Sequence, residues 1–289
     1  MWRTIEQNIG KSARKQFIIE RRVGIGGGSI NASYRVEGSG QCYFVKTNTA
    51  QRLEMFAAEA KGLDALASAQ AIRVPQPVCR GVAGKHAYLV MEFIMFGRGG
   101  SPRALGEQLA AMHRHTQSEF GWQCDNTIGS TPQINTLSDH WTSFFREHRL
   151  GFQLKLAAKN GYGGSLQHKG ERLMADLGLF FEGYSPQTSL LHGDLWGGNH
   201  AVDMEGHPVL YDPAVYYGDR ETDMAMTELF GGFGSAFYAA YNEAWPLDAG
   251  YDVRKTLYNL YHVLNHANLF GGGYARQAEG MMDCLLSEV

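Results

Sequence analysis

Apolar and polar residues alternate along much of the first 95 positions of the chain, and this period of two is typical of β-strands. Residues 30–36 follow the pattern, and the apolar run 42–45 predicts a second strand after the turn 38–40, so the pair predicts a β-hairpin. Residues 17–23 predict another strand before the hairpin, and the apolar run 88–95 predicts a buried strand after it. The first part of the chain is therefore expected to form a small sheet.

Apolar residues recur at helical spacing through most of the remaining chain. A first helix is predicted soon after the hairpin, over residues 53–66. The segment 97–102, with its Gly, Ser and Pro residues, is typical of a linker. Helical patterns beyond it cover residues 104–115, 137–158, 222–244 and 251–270. Apolar runs at 189–191 and 209–211 predict two short strands among these helices.

The two kinds of pattern predict an α+β protein, with a small β-rich domain over residues 1–95 and a larger α-helical domain over residues 96–289. Apolar residues make up 44% of the chain and charged residues 19%, and this ordinary balance excludes a disordered or fibrous protein. The formal charge is −3, so no nucleic-acid partner is expected.

Neither membrane insertion nor secretion is expected from the sequence. The longest mostly apolar stretch, residues 88–96, contains Glu92 and is too short to cross a bilayer. Residues 1–6 lack the apolar core of a signal peptide. The four cysteines are far apart and form no Cys-x-x-Cys pair, which is typical of a reduced, cytoplasmic protein without a zinc site.

Glycine is concentrated in residues 23–29, where backbone N–H groups could approach a phosphate closely. A dinucleotide-binding fold would require a helix next, but residues 30–36 predict a strand, and Ser29 replaces the last glycine of G-x-G-x-x-G. Residues 10–12, Gly-Lys-Ser, do not belong to a Walker loop, because Ile5 occupies the position of its first glycine. The order strand, glycine loop, strand matches the phosphate-covering loop of protein kinases, and the alternative is a flexible hairpin turn.

Lys46 and Glu59 are candidates for an ion pair that orients nucleotide phosphates. Lys46 follows the strand residues 43–45, and Glu59 lies thirteen positions later on the predicted helix. Protein kinases pair a strand lysine with a glutamate of the following helix in this way. The alternatives are a solvated strand end for Lys46 and an exposed helix charge for Glu59.

Asp194, Asn199 and Asp212 form the strongest chemical pattern in the chain. Asp194 and Asn199 are five positions apart after an apolar strand, and Asp212 ends the next apolar strand. Phosphoryl transfer needs a carboxylate near the attacking hydroxyl and oxygen ligands for Mg²⁺, which these three side chains can supply. An Asp-x₄-Asn pair alone is common, but its combination with the upstream glycine loop, Lys46 and Glu59 indicates a kinase.

The segment 191–199, Leu-His-Gly-Asp-Leu-Trp-Gly-Gly-Asn, and the segment 212–221, which begins Asp-Pro-Ala-Val-Tyr-Tyr-Gly-Asp, resemble the fructosamine kinase (ketosamine-3-kinase) family. This family is related to the aminoglycoside phosphotransferases and choline kinases. Residues 121–133, 141–153 and 264–272 carry the same resemblance, which therefore covers essentially the whole chain.

The resemblance implies a protein-kinase-like bilobal fold that uses ATP and Mg²⁺, with a small β-rich N-lobe and a larger helical C-lobe. It implies that Asp194 is the catalytic base for the acceptor hydroxyl and that Asn199 and Asp212 are the Mg²⁺ ligands. The remaining nucleotide contacts it implies come from Gly26, Gly27 and Gly28 over the phosphates, Lys46 held by Glu59, and the hinge residues Glu92, Phe93 and Ile94 at the adenine.

By the same resemblance the enzyme would phosphorylate the 3-hydroxyl of a ketosamine, free or protein-bound, and so lead to deglycation. Trp196 would then face the acceptor sugar, and the alternative is a core aromatic. An aminoglycoside, choline or another small alcohol is the alternative acceptor, and a non-catalytic nucleotide-binding regulator is the alternative class. Gly193 stands where protein kinases have Arg, so no phosphorylation switch is expected. The oligomeric state is open, with a monomer favoured.

Overall fold

The computed structural model describes residues 1–26 and 30–289. The strands within these residues are β1 Arg21–Ile25, β2 Ala32–Gly38, β3 Gln41–Thr49, β4 Pro77–Ala83, β5 His86–Glu92, β6 Asn126–Ile128, β7 Thr131–Gln133, β8 Ser189–Leu191, β9 His200–Val202, β10 Pro208–Leu210 and β11 Tyr216–Gly218.

The helices within the same residues are α1 Trp2–Ala13, α2 Leu53–Ser68, α3 Pro102–His113, α4 Trp141–Phe144, α5 Gly151–Lys159, α6 Ser165–Ala175, α7 Glu221–Leu229, α8 Ser235–Ala244, α9 Tyr251–Phe270 and α10 Tyr274–Leu286. Across this described part of the chain, no helix has both the length and the apolar character needed to cross a membrane.

These elements belong to two compact units. The first unit comprises Met1–Ser101 and His200–Pro213, and the second comprises Pro102–Asn199 and Ala214–Val289. The first unit thus extends beyond the predicted boundary at residue 95 and includes a segment that the sequence pattern assigned to the helical domain.

An antiparallel sheet in the order β1-β2-β3-β5-β4 forms the body of the first unit, in the part of the chain that the structure describes. The predicted hairpin is present as β2 and β3, with Lys46 opposite Ser33 and Leu89. The strand predicted over 17–23 begins only at Arg21. Before it, the N–H of Glu20 donates to the carbonyl of Glu37 at 2.9 Å, but the N–H of Ile18 donates to the side chain of Ser39 instead of to a strand.

Helix α1 was not predicted, and it covers part of the sheet. Its Ile5 and Ile9 lie four positions apart on one face and are fully buried. They pack in one core cluster with Phe17, Val36 and Val90. The polar residues between them weaken the periodic signal in the sequence, so only packing against the sheet identifies this helix.

The hairpin β9–β10 joins the first unit through backbone and side-chain contacts. The N–H of Leu210 donates to the carbonyl of Arg73 at 2.9 Å, and the N–H of Gly97 donates to Val202 at the same distance. The rings of Phe96 and Tyr211 are stacked with centroids 5.3 Å apart. These contacts explain why residues 200–213 fold with the first unit.

Helices dominate the second unit, and α9 contributes twelve buried residues to it among those described. The helix predicted over 222–244 is wrong as one element, because α7 ends at Leu229 and α8 begins at Ser235. Gly231, Gly232 and Gly234 between them have positive φ, which interrupts a right-handed helix. The helix predicted over 137–158 begins at Trp141 and contains a π-helical turn, Phe145–Leu150.

Candidate active site

Lys46, Glu59 and Asp212 meet in the first unit. Lys46 lies on β3 and is 5% exposed, so its ammonium group requires polar partners. Its Nζ lies 2.6 Å from Oε1 of Glu59 on α2 and 2.7 Å from Oδ1 of Asp212, which follows β10. The predicted ion pair is present, and it includes a second carboxylate.

The two carboxylates determine the charge of the lysine. Burial lowers the pKa of Lys46, but the charges and hydrogen bonds of Asp212 and Glu59 outweigh burial and raise that pKa above its usual value. Burial raises the pKa of Glu59, and the attraction of Lys46 opposes this effect. The ammonium group of Lys46 therefore stays protonated at neutral pH.

Asp212 combines strained backbone with an accessible carboxylate. Its φ is +57°, in the left-handed region that residues with a Cβ seldom adopt. Its side chain is 47% exposed, and the carboxylate has a second oxygen besides the one bound to Lys46. A carboxylate oxygen is a ligand that Mg²⁺ prefers, so this side chain fits the predicted role of a metal ligand.

The predicted hinge residues lie at the end of β5 and directly after it. The N–H of Glu92 already donates to the carbonyl of Gln76 at 2.8 Å, so this N–H is not available to adenine. The ring of Phe93 lies under the guanidinium of Arg35 at 4.9 Å, and Ile94 is buried. Gly26 is exposed, whereas Gly27 and Gly28 lie outside the described residues.

Asp194 and Asn199 meet in the second unit, in the loop after β8. The Nδ2 of Asn199 donates to the backbone carbonyl of Asp194 at 2.8 Å and to its Oδ2 at 3.1 Å. The amide of Asn199 is therefore oriented with its nitrogen toward Asp194 and its oxygen available to a cation. Amide oxygen is a further ligand type that Mg²⁺ accepts, so Asn199 also fits its predicted role.

Asp223 on α7 holds the backbone of this loop, a role that the sequence alone left undecided. Its carboxylate accepts the N–H of His192 at 2.7 Å and the N–H of Gly193 at 2.9 Å. The ring of His113 lies 3.2 Å from the same carboxylate, and its other nitrogen lies 2.8 Å from the hydroxyl of Tyr241. All three side chains are buried.

In this buried pair, the carboxylate of Asp223 is ionised and the ring of His113 is neutral. Burial would raise the pKa of Asp223, but the hydrogen bonds from His113 and from the N–H of Gly193 oppose burial, and the pKa of Asp223 is lowered. Burial lowers the pKa of His113. A buried carboxylate among the apolar residues of α7 is a signal that a partner must exist, but the sequence does not identify the partner.

Trp196 is not a core aromatic, because it is 39% exposed. Its ring meets that of Phe230 edge to face at 6.0 Å, and Phe230 lies 5.2 Å from the ring of His266. The loop after β8 thus presents an accessible aromatic face two residues after Asp194.

Comparison with known proteins adds independent evidence. The model of the fructosamine kinase family matches residues 1–288. A protein assigned as a ketoamine kinase in Synechocystis sp. is 49% identical, over 98% of this chain and 97% of that protein. A chloroplastic protein-ribulosamine 3-kinase of Arabidopsis thaliana is 46% identical, over 90% of this chain and 80% of that protein.

Solved structures show the same relationship in three dimensions. A protein assigned as a fructosamine-3-kinase in Haemophilus somnus is 29% identical and has a TM-score of 0.91, covering 99% of this chain and 98% of that one. An aminoglycoside phosphotransferase solved with ADP and hygromycin B is 15% identical with a TM-score of 0.63, over 98% of both chains, and shows the fold alone. The chain therefore belongs to the fructosamine kinase family and is an ATP-dependent phosphotransferase that acts on a hydroxyl group, built on the α+β protein-kinase-like fold.

Proposed function

We propose that this enzyme transfers the γ-phosphoryl group of ATP to the 3-hydroxyl of ketosamines, which are sugars joined to amines through an Amadori linkage. The relatives named as ketoamine and ribulosamine kinases support this substrate class. The observation that carries the proposal is the pairing of Asp194 with Asn199 in a loop whose backbone is held by a buried carboxylate. The phosphorylated product is unstable and releases its amine, so the implied role is deglycation.

Asp194 acts as the general base. Its carboxylate takes the proton of the 3-hydroxyl while the sugar oxygen forms a bond to the γ-phosphorus. The bond between that phosphorus and the bridging oxygen breaks, and ADP leaves with the electron pair. The hydrogen bond from Asn199 to Oδ2 of Asp194 keeps the carboxylate in one orientation. General-base assistance contributes about 10²–10⁴-fold to the rate.

The first unit would bind ATP, and the contact between Lys46 and Glu59 is its best-defined part. Lys46, held by Glu59, contacts the α- and β-phosphates, and its raised pKa supports a permanent charge there. Asn199 and Asp212 would each offer an oxygen ligand to Mg²⁺, and the ion would offset phosphate charge. The adenine contacts are assigned to Glu92, Phe93 and Ile94, and the phosphate cover to Gly26, Gly27 and Gly28.

The acceptor sugar packs on the exposed face of Trp196. Its 39% exposure and its contact with Phe230 support this role. Aromatic contacts contribute about 0.5–1.5 kcal/mol, so Trp196→Ala should raise KM for the ketosamine about 2–10-fold and leave KM for ATP unchanged. An equal rise in both KM values would contradict the assignment.

The enzyme is proposed to act in the cytoplasm as a monomer, on free or protein-bound ketosamines and without a nucleic-acid or membrane partner. All four cysteines are free thiols, which is typical of a reducing compartment.

A side-by-side assay of ribulosyl-lysine, fructosyl-lysine and kanamycin tests the substrate class, with ATP consumption and mass spectrometry of the product. We expect phosphate on the 3-oxygen of one or both ketosamines. Asp194→Asn should lower kcat by about 10²–10⁴-fold with ATP binding retained. The exposed Asp283 provides the matched control variant, Asp283→Asn.

Other results would reject the proposal in defined ways. Phosphorylation of kanamycin alone would indicate an aminoglycoside phosphotransferase. A thermal shift with Mg-ATP but no transfer to any acceptor would indicate a non-catalytic regulator. A normal rate in Asp194→Asn would remove Asp194 from the catalytic role.

A further inference from the structure

The hairpin β6–β7 carries two amide side chains that the reaction chemistry does not use. Asn126 and Gln133 are opposite each other in its register. Gln133 is 1% exposed and Asn126 is half-buried. Buried amides need partners for every donor and acceptor, so the partners of these two residues indicate what the hairpin does.

Both amides donate to the backbone that follows Asp212-Pro213. The Nε2 of Gln133 donates to the carbonyl of Ala214 at 3.0 Å, and the Nδ2 of Asn126 donates to the carbonyl of Val215 at 2.8 Å. Gln133 also donates to Oδ1 of Asn126 at 2.8 Å. The Oε1 of Gln133 accepts the hydroxyl of Tyr261 at 2.8 Å, so each polar atom of this glutamine has a partner.

The Ala214 peptide in turn contacts the two residues before Asp194. The N–H of Ala214 donates to the carbonyl of His192 at 2.9 Å. The carbonyl of Ala214 lies so close to Gly193 that a Cβ built there would be 2.1 Å from its oxygen. Gly193 adopts a φ of +83°, so it has both the space and the conformation that only glycine allows.

The orientation of the amides makes the contact directional. Gln133 and Asn126 present nitrogen to the two carbonyls and oxygen to donors, and Asn135 supports this by donating its Nδ2 to Oδ1 of Asn126 at 3.0 Å. A carboxylate at position 133 would place an acceptor against the carbonyl of Ala214. Such a change removes the hydrogen bond while it preserves the shape of the side chain.

We propose that Gln133 and Asn126 are positioning residues, which hold the peptides of Ala214 and Val215 against Gly193 and thereby fix Asp194 for phosphoryl transfer. We call this arrangement the amide clamp. It rests on the proposed function in assigning the base to Asp194. The clamp and Asp223 bond to opposite kinds of backbone group. Asp223 accepts N–H groups of the loop, whereas the clamp donates to carbonyls that pack on the loop.

The variant Gln133→Glu tests the clamp, with Gln153→Glu as the matched control. Gln153 is an equally buried glutamine that donates to Asn265 and accepts from Asn268 on α9. It also bonds to Tyr261, so the control includes any effect that passes through this tyrosine, and only the bond to Ala214 distinguishes the two variants. A displacement of about 1 Å at a reacting group costs about 10²-fold, so Gln133→Glu should lower kcat about 10–100-fold more than the control does. The Kd for ATP without Mg²⁺ should stay within about twofold, because the phosphate contact is assigned to Lys46, which Glu59 holds within the first unit.

Hydrogen exchange measures the clamp without any substrate. In Gln133→Glu the N–H groups of Ala214 and Gly193 should exchange faster than in the wild type, and in Gln153→Glu they should not. Asn126→Ala, at a half-buried position, serves if Gln133→Glu fails to fold, with the same expectation. Unchanged exchange in both variants, or a kcat loss equal to that of the control, would overturn the clamp.

These readouts also separate the clamp from the substrate assignment. If the wild type phosphorylates kanamycin and no ketosamine, the proposed function fails, and kcat for kanamycin replaces kcat for the ketosamine in the same comparison. Faster exchange with a selective kcat loss would then still support the clamp.

Discussion

Oδ1 of Asp212 lies 2.7 Å from Nζ of Lys46, although 166 positions separate the two residues in the chain. The contact belongs to the first unit because the hairpin β9–β10 folds with the sheet. It stabilises Asp212 in a left-handed conformation that carries a cost of about 1–3 kcal/mol. Glu59 binds the same ammonium group, so the loss of either carboxylate changes the position of Lys46 and its bond to the other carboxylate.

Glu59→Gln should weaken the orientation of Lys46. A hydrogen bond to a charged group contributes about 1.5–3 kcal/mol, which corresponds to a fall in kcat/KM for ATP of roughly 10–150-fold. Steady-state kinetics with varied ATP would measure the fall. Glu54→Gln, on the exposed side of the same helix, is the control. Equal effects in the two variants would contradict a role for the buried pair.

Asp223→Asn should disturb the loop after β8. The variant turns an ionised acceptor of two backbone N–H groups into a neutral amide, and the loss of such buried contacts costs about 2–5 kcal/mol of the free energy of unfolding. Urea unfolding would measure this change, and kcat should fall as well. Asp252→Asn, whose side chain is 89% exposed, should change neither quantity appreciably.

Gly193→Ala should be more harmful than Gly197→Ala, although both lie in the same loop. The first variant adds strain of about 1–3 kcal/mol from the positive φ and a clash with Ala214. The second meets no atom within 4 Å and should shift the free energy of unfolding by less than about 0.5 kcal/mol. Thermal unfolding of the two variants would show whether the difference exists.

His262 should make the protein less stable in mild acid. Burial lowers the pKa of His262 to about 3; the charges of His266 and Arg149 also lower it, and the charge of Asp223 opposes them. The unfolded chain binds a proton near pH 6.5 and the folded chain does not, so stability is complete above that pH and is lost as pH falls toward 3. At pH 5.5 the loss is about 1.4 kcal/mol relative to pH 8.

Urea unfolding at pH 8 and pH 5.5 would measure this loss. His262→Gln should shrink the difference between the two pH values by about the same 1.4 kcal/mol. A difference that is identical in variant and wild type would show that other groups cause the acid sensitivity.

Local spacing in the sequence was sufficient for several features of the site. The hairpin β2–β3, the pairing of Lys46 with Glu59 and the pairing of Asp194 with Asn199 involve residues at most fifteen positions apart. Their geometry follows from strand alternation, helical spacing and one short loop, which adjacent residues determine. The single helix predicted over 222–244 failed because three glycines between α7 and α8 favour positive φ more than the apolar pattern favours a helix.

Tertiary structure alone decided the contacts between distant segments. The amino-acid sequence by itself determined the α+β class, the hairpin β2–β3 and the pairing of Lys46 with Glu59. It did not place the hairpin β9–β10 in the first unit, His113 against Asp223, or Gln133 against Ala214. The contact of His113 with Asp223 spans 110 positions, and that of Gln133 with Ala214 spans 81. Such partners are chosen by the packing of whole elements, and this packing leaves no periodic pattern along the chain.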